Sequence, residues 1–165
     1  MDHKLKLMVV DDSPLFRTWL IHSLSEDDRF QVVGYAVNAL DAQEKIPLLQ
    51  PDMLTLDIEM PGMSGIDFLK QLLPVHPIPV ILVSSLNLRV FDALEAGAVD
   101  FVRKPYNVRI LKSKINNVIK LRESVMVLSA LEYDDLTGLY IRQAFFHHAK
   151  TLMRFNTNQD IHEVV

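Results

Sequence analysis

The chain has 165 residues, room for one ordinary domain plus an appendage, and its 49% apolar content supports a real core. A net charge of −4, from 17 Lys and Arg against 21 Asp and Glu, argues against an electrostatic grip on nucleic acid, and zero cysteines exclude a disulfide framework and thiolate chemistry. No apolar run approaches the roughly 20 residues of a membrane span, and Met1-Asp2-His3-Lys4 is no signal peptide, so a soluble cytoplasmic protein without a membrane partner is expected.

Strand and helix patterns alternate along the first two thirds. Lys6 to Val10 reads as a strand, and Ser13-Pro14 then supplies a cap with proline at the first helical position, followed by Phe16, Trp19, Leu20 and Leu24 at helical spacing. Gln31 to Ala36 is a second strand. Ala39 to Leu49 reads as a helix that Pro47 should kink or stop. A third strand, Met53 to Asp57, precedes an amphipathic helix from Ser64 to Leu73, and Pro74, Pro77 and Pro79 exclude helix until a fourth strand starts at Val80. Val90, Phe91 and Leu94 mark a short helix stopped by Gly97, Phe101 to Arg103 is a fifth strand, and a last helix starts near Asn107. Five apolar strands alternating with helices imply right-handed crossovers and a doubly wound parallel α/β sheet covered on both faces.

Chemistry-bearing residues fall at the strand ends: Asp11 and Asp12 after the first, Asp57 on the third, Ser84 on the fourth, Lys104 after the fifth. Each alone reads as turn or cap chemistry. Together they gather on the sheet edge where ligands bind in such folds. Two carboxylates about 4 Å apart repel by on the order of 4 kcal/mol at an effective dielectric near 20, so three crowded aspartates call for a cation. An all-oxygen site of this kind suits Mg2+. Three aspartates, one magnesium and one lysine sum to zero charge, so the pocket can take a phosphoryl group, with a carboxylate as nucleophile.

The segments Val9-Val10-Asp11-Asp12-Ser13, Leu56-Asp57-Ile58-Glu59-Met60-Pro61-Gly62, Val80-Ile81-Leu82-Val83-Ser84-Ser85 and Asp100-Phe101-Val102-Arg103-Lys104-Pro105 closely resemble, in order, the receiver domain of two-component response regulators. The resemblance covers about residues 5 to 122, within a receiver domain expected at 1–122, and implies a flavodoxin-like five-stranded sheet in the order 2-1-3-4-5. It implies that Asp57 accepts phosphate from a sensor histidine kinase or phosphotransfer protein, and that Asp11, Asp12, Asp57 and the Glu59 backbone carbonyl hold magnesium. Lys104 then binds the phosphate, Ser84 is the switch hydroxyl, and Phe101 is the aromatic that rotates when Ser84 moves. Leu86 and Glu59 stand at positions that tune acyl phosphate lifetime in the family. The stretch from Ser85 to Ala96 is shorter than the family pattern, which implies a shortened loop or first turn of the fourth helix.

No glycine or proline interrupts Asn107 to Leu131, room for a helix of roughly 37 Å at 1.5 Å per residue. Leu111, Ile115 and Val118 are expected to pack on the sheet. Val118, Leu121, Val125 and Leu128 follow a 3-4-3 spacing that suits either a coiled-coil homodimer seam or a solitary amphipathic helix. The basic residues Arg109, Lys112, Lys114, Lys120 and Arg122 form a solvated face or pair with Asp92, Glu95 or Asp100 of a second subunit.

After a helical linker at 123–132, Asp134-Asp135-Leu136-Thr137-Gly138-Leu139-Tyr140-Ile141-Arg142-Gln143-Ala144-Phe145 resembles the opening of a diguanylate cyclase (GGDEF-family) domain, with Ile141 in place of the usual asparagine. A plain helix-loop-helix turning at Thr137-Gly138 is the alternative. The glycine-glycine-acidic-acidic-Phe loop is absent, so residues 133–165 are expected to be an incomplete fragment that makes no cyclic dinucleotide, leaving self-phosphorylation at Asp57 as the chain's one reaction. His147-His148 point apart on a helix and do not suit a metal. Two other readings compete with a phosphorylatable module driving a cyclase: a stand-alone receiver acting by protein contact, and an aspartate-nucleophile phosphatase.

Overall fold

Alternating apolar residues on central strands sort to two faces, and in this chain both faces are covered. The computed structural model describes residues 4–85 and 90–132. In chain order the elements are β1 (Leu5–Val10), α1 (Pro14–Ser25), β2 (Phe30–Ala36), α2 (Ala39–Leu49), β3 (Met53–Asp57), α3 (Gly65–Leu72), β4 (Val80–Ser84), α4 (Val90–Glu95), β5 (Asp100–Arg103) and α5 (Val108–Glu132). The strands pair in the order β2-β1-β3-β4-β5, every neighbour parallel, the doubly wound sheet expected from the alternation in the flavodoxin-like order that the resemblance implies.

On one face Met8, Val10, Leu54, Leu56, Val80 and Leu82 meet α2, α3 and α4 through Ala42, Ile46, Leu69, Leu72 and Ala93. On the other, Leu7, Val9, Met53, Ile81 and Val102 meet α1 and α5 through Leu20, Leu24, Leu111, Ile115 and Val118. β3 is buried along its whole length, and Asp57 at its end is buried with it. Side-chain caps fix where the crossover helices begin. Ser13 caps α1 by accepting from the Phe16 N–H, and Asn38 caps α2 by accepting from the Asp41 N–H. Ser64 accepts from the Asp67 N–H and donates its hydroxyl to the Asp67 carboxylate, a reciprocal cap for α3.

Three expectations shift. α2 runs through Pro47 to Leu49 and ends on Gln50, whose φ of 47° turns the backbone left-handed. Pro47 lies in the last turn on the exposed side, so only one ladder bond is lost and water can reach the orphaned carbonyl. In α4 the residue that enters the core is Ala93, while Phe91 is 78% exposed; a six-residue helix has too few turns for its spacing to name a face. α5 has the expected length, but Val118 is buried in the chain's own core and Leu121 and Val125 pack against it. Val118 therefore faces the sheet, not a second subunit, and the Leu128 side chain falls outside the described residues. Asp100 pairs with Lys114 at 2.7 Å within the chain and Arg122 with Asp52 at 3.6 Å, which removes Asp100 and Lys114 from a simple cross-subunit ion pair. Asp92, Glu95 and Arg109 remain exposed on α4 and α5.

Candidate functional site

Parallel pairing in one register brings the strand ends to one rim. Asp11 leaves β1 with its N–H on the Ala36 carbonyl, and Ile58, next after Asp57, donates its N–H to Val83. The Lys104 N–H is anchored 2.7 Å from the Ser84 carbonyl, which ties the exit of β5 to that of β4. Gly65 has a local reason: a Cβ there would collide with the Asp57 carbonyl oxygen. Only glycine lets α3 start that close to the end of β3.

The Lys104 ammonium lies 3.0 Å from Asp11 Oδ2 and 3.1 Å from Asp57 Oδ2. The other oxygens of these carboxylates accept backbone N–H groups, from Ser13 at 2.8 Å and Glu59 at 3.2 Å. Beneath the ammonium, the Phe16 ring centroid is 4.5 Å away, and a cation over an aromatic face is held electrostatically. Phe16 continues edge-on to Trp19, and both rings contact Tyr106. Arg17 donates to the Asp11 carbonyl at 2.8 Å.

Burial dominates the ionisation of Asp57, which is 3% exposed. It pushes the carboxyl up from 3.8 to about 7; the Lys104 charge opposes this and the Asp11 charge adds to it. For Lys104, burial works to lower the pKa, but the hydrogen bond to Asp11 and the charges of Asp57 and Asp11 outweigh it and the net shift is upward. Burial, with the nearby Asp11 and Asp57 charges, also raises the Tyr106 phenol, whose oxygen has no hydrogen-bond partner among the described residues. The site thus carries more negative charge than one lysine comfortably serves.

One carboxylate oxygen from each of Asp11, Asp12 and Asp57 lies within 4.8 Å of the others. Hard oxygen donors at that spacing, two of them buried and one exposed, fit a divalent cation that keeps part of its water shell. The elevated Asp57 carboxyl has the same cause, an anion packed among anions away from water.

Ser84 is fully buried, and its hydroxyl donates to Glu59 Oε1 at 2.8 Å. The same oxygen accepts the Ser85 hydroxyl at 2.8 Å and the Ser85 N–H at 3.1 Å. Burial acts to raise the Glu59 pKa, but the hydrogen bonds donated by Ser84 and Ser85 outweigh it and leave the carboxyl below its usual value. Phe101 is half-buried against the core face of α3 and α4. Asp11, Asp12, Asp57 and Lys104 are therefore brought together, Ser84 and Glu59 join them along the rim, and Phe101 lies on β5 opposite Leu82 of β4. Leu86 lies outside the described residues. Sequence reading missed the Glu59 side chain as a partner of Ser84, Ser85 as its companion, and Phe16 as the platform under Lys104. Two adjacent hydroxyls at the end of β4 were the available signal for the first pair; Phe16 carried none beyond its core-like spacing.

Comparison with known proteins agrees with this geometry. The model of the response regulator receiver domain matches residues 7–116. A protein-glutamate methylesterase/protein-glutamine glutaminase from Syntrophomonas wolfei is 46% identical over 129 residues, spanning 72% of this chain and 38% of that protein. The chain therefore spans well under half the length of this curated relative. Among solved structures, the response regulator domain of Thermotoga maritima CheB superposes with a TM-score of 0.62 at 36% identity, covering 73% of this chain and 96% of that one. A chain of the CheX-CheY-BeF3−-Mg2+ complex from Borrelia burgdorferi gives 0.65 at 28% identity, covering 70% and 89%. The cyclase-like stretch at 133–146 gains no support from these matches and lies outside the described residues. With the family model covering most of the chain and the acidic rim in place, the chain belongs to the response regulator receiver family.

Proposed function

We propose that this chain is the phosphoacceptor module of a phosphorelay. An Asp57 carboxylate oxygen attacks the phosphorus of a phosphohistidine on a sensor histidine kinase or phosphotransfer protein. The new P–O bond forms as the P–N bond breaks, and the departing imidazole takes up a proton. The carrying observation is the buried Asp57 carboxylate set between Asp11, Asp12 and the Lys104 ammonium. Receiver domains bind Mg2+ at such an acidic pocket; here Asp11, Asp12, Asp57 and the Glu59 backbone carbonyl would hold it, and when bound it supplies charge neutralisation for the phosphoryl oxygens. Lys104 pairs with the phosphoryl group, and Ser84 donates its hydroxyl to it. Phe101 then turns toward the space behind Ser84, repacking α4, β5 and α5. A cytoplasmic setting follows from the source of the phosphoryl group.

Output is carried by α5 through a homodimer, with Asp92, Glu95 and Arg109 on the shared face and the last turns of the helix, from Leu128 on, leading toward an output domain. The resemblance at 133–146 favours a diguanylate cyclase there. The methylesterase relatives favour a second reading, a receiver governing an esterase, and assays of the phosphorylated full-length gene product for cyclic dinucleotide and for glutamate methyl ester hydrolysis separate the two.

Asp57→Asn tests the core reading. Wild-type protein with acetyl phosphate and magnesium should acquire a hydroxylamine-sensitive phosphoryl label, read by mass spectrometry, and the variant should not. A label of the same lability surviving in the variant would refute the assignment.

A further inference from the structure

A hydroxyl has one proton to donate, and the Ser84 hydroxyl already donates to Glu59 Oε1 at 2.8 Å. That oxygen also holds both donors of Ser85, so a single carboxylate from the β3–α3 connection grips the whole corner at the end of β4. Hydrogen bonds to an ionised acceptor are roughly twice as strong as neutral ones. Glu59 and a phosphoryl group on Asp57 therefore compete for the same proton, and both are anionic. We propose that Glu59 is a positioning residue that latches the Ser84–Ser85 corner in the unphosphorylated arrangement, and that phosphoryl occupancy at Asp57 must displace Glu59 from Ser84. The Glu59 backbone serves the metal site while its side chain opposes the switch, so one residue couples ion binding to the position of β4. This inference rests on Asp57 being the phosphoacceptor.

Beryllofluoride, a phosphoryl mimic, is the probe, titrated by calorimetry with magnesium into the full chain. Four variants are compared with wild type: Glu59→Gln, Ser84→Ala, the double substitution, and Asp57→Asn. Glu59→Gln keeps an acceptor of the same shape but removes its charge. It is expected to bind beryllofluoride roughly tenfold tighter, the effect of weakening one charge-assisted hydrogen bond. In the Ser84→Ala background the same substitution should tighten binding little, because the contested proton is gone; the double-mutant cycle reads that difference. In the ligand-free protein, Glu59→Gln should also shift the Ser85 amide resonance.

Equal tightening in both backgrounds would mean simple charge repulsion and would overturn the latch. Unchanged or weaker binding by Glu59→Gln would overturn it too. Failure of the wild type to bind, or equal binding by Asp57→Asn, would sink the phosphoacceptor reading itself and this inference with it.

Discussion

Lowering the pH from about 8 to about 6 is expected to weaken magnesium binding roughly tenfold, because a proton and the ion compete for Asp57. The carboxyl titrates at about 7. At pH 8 roughly ten elevenths of it is ionised and at pH 6 roughly one eleventh, which sets the ratio. The direction for folding is the reverse of an ordinary salt-bridged aspartate. With its folded pKa raised above 3.8, Asp57 contributes stability that is full below about pH 4 and is lost as pH rises through about 7. Magnesium should therefore raise the unfolding midpoint more at pH 8 than at pH 6. Calorimetric titrations in buffers of different ionisation enthalpy read the linkage directly: about nine tenths of a proton released per ion at pH 6, and about one tenth at pH 8. Asp57→Asn should bind more weakly and lose the pH slope. An affinity that stays constant across this range, with no proton release, would refute the claim that burial among anions controls the site.

Lys104→Ala leaves Asp11 and Asp57 facing each other without their ammonium, and breaking a buried pair this way costs about 3 kcal/mol. Urea unfolding at pH 8 should show that loss, and magnesium should recover part of it. Gly65→Ala forces a methyl group against the Asp57 carbonyl, so about 1–3 kcal/mol of destabilisation is expected together with weaker magnesium binding; an undisturbed ion affinity would mean that α3 can retreat without moving β3. Ending the chain before Glu123 should weaken self-association as read by sedimentation, and an unaffected dimer would place the interface away from the part of α5 that follows Arg122.

Much of the site was legible because in a parallel sheet the strand ends are fixed by topology. Once Asp11, Asp57, Ser84 and Lys104 each closed an apolar run, one rim had to receive them. The start of α1 was legible for a similar reason, since Ser13 acts on a backbone group within a few residues of itself. Side-chain direction was not. Phe91 and Ala93 look alike to a spacing argument over one and a half turns, yet the small residue enters the core and the ring faces solvent.

What the amino-acid order determined, then, is everything carried by local pattern, the alternation and the chemistry at each strand end, with the sheet order added by the family resemblance. Tertiary structure alone decided which partners those groups meet across long separations. Lys104 finds Asp11 and Asp57 and rests on Phe16, Lys114 takes Asp100 within the chain, Val118 enters the core, and Glu59 accepts from Ser84. Periodicity names the face a residue occupies, but a hydrogen bond depends on distances of a few tenths of an ångström between segments that only packing brings together.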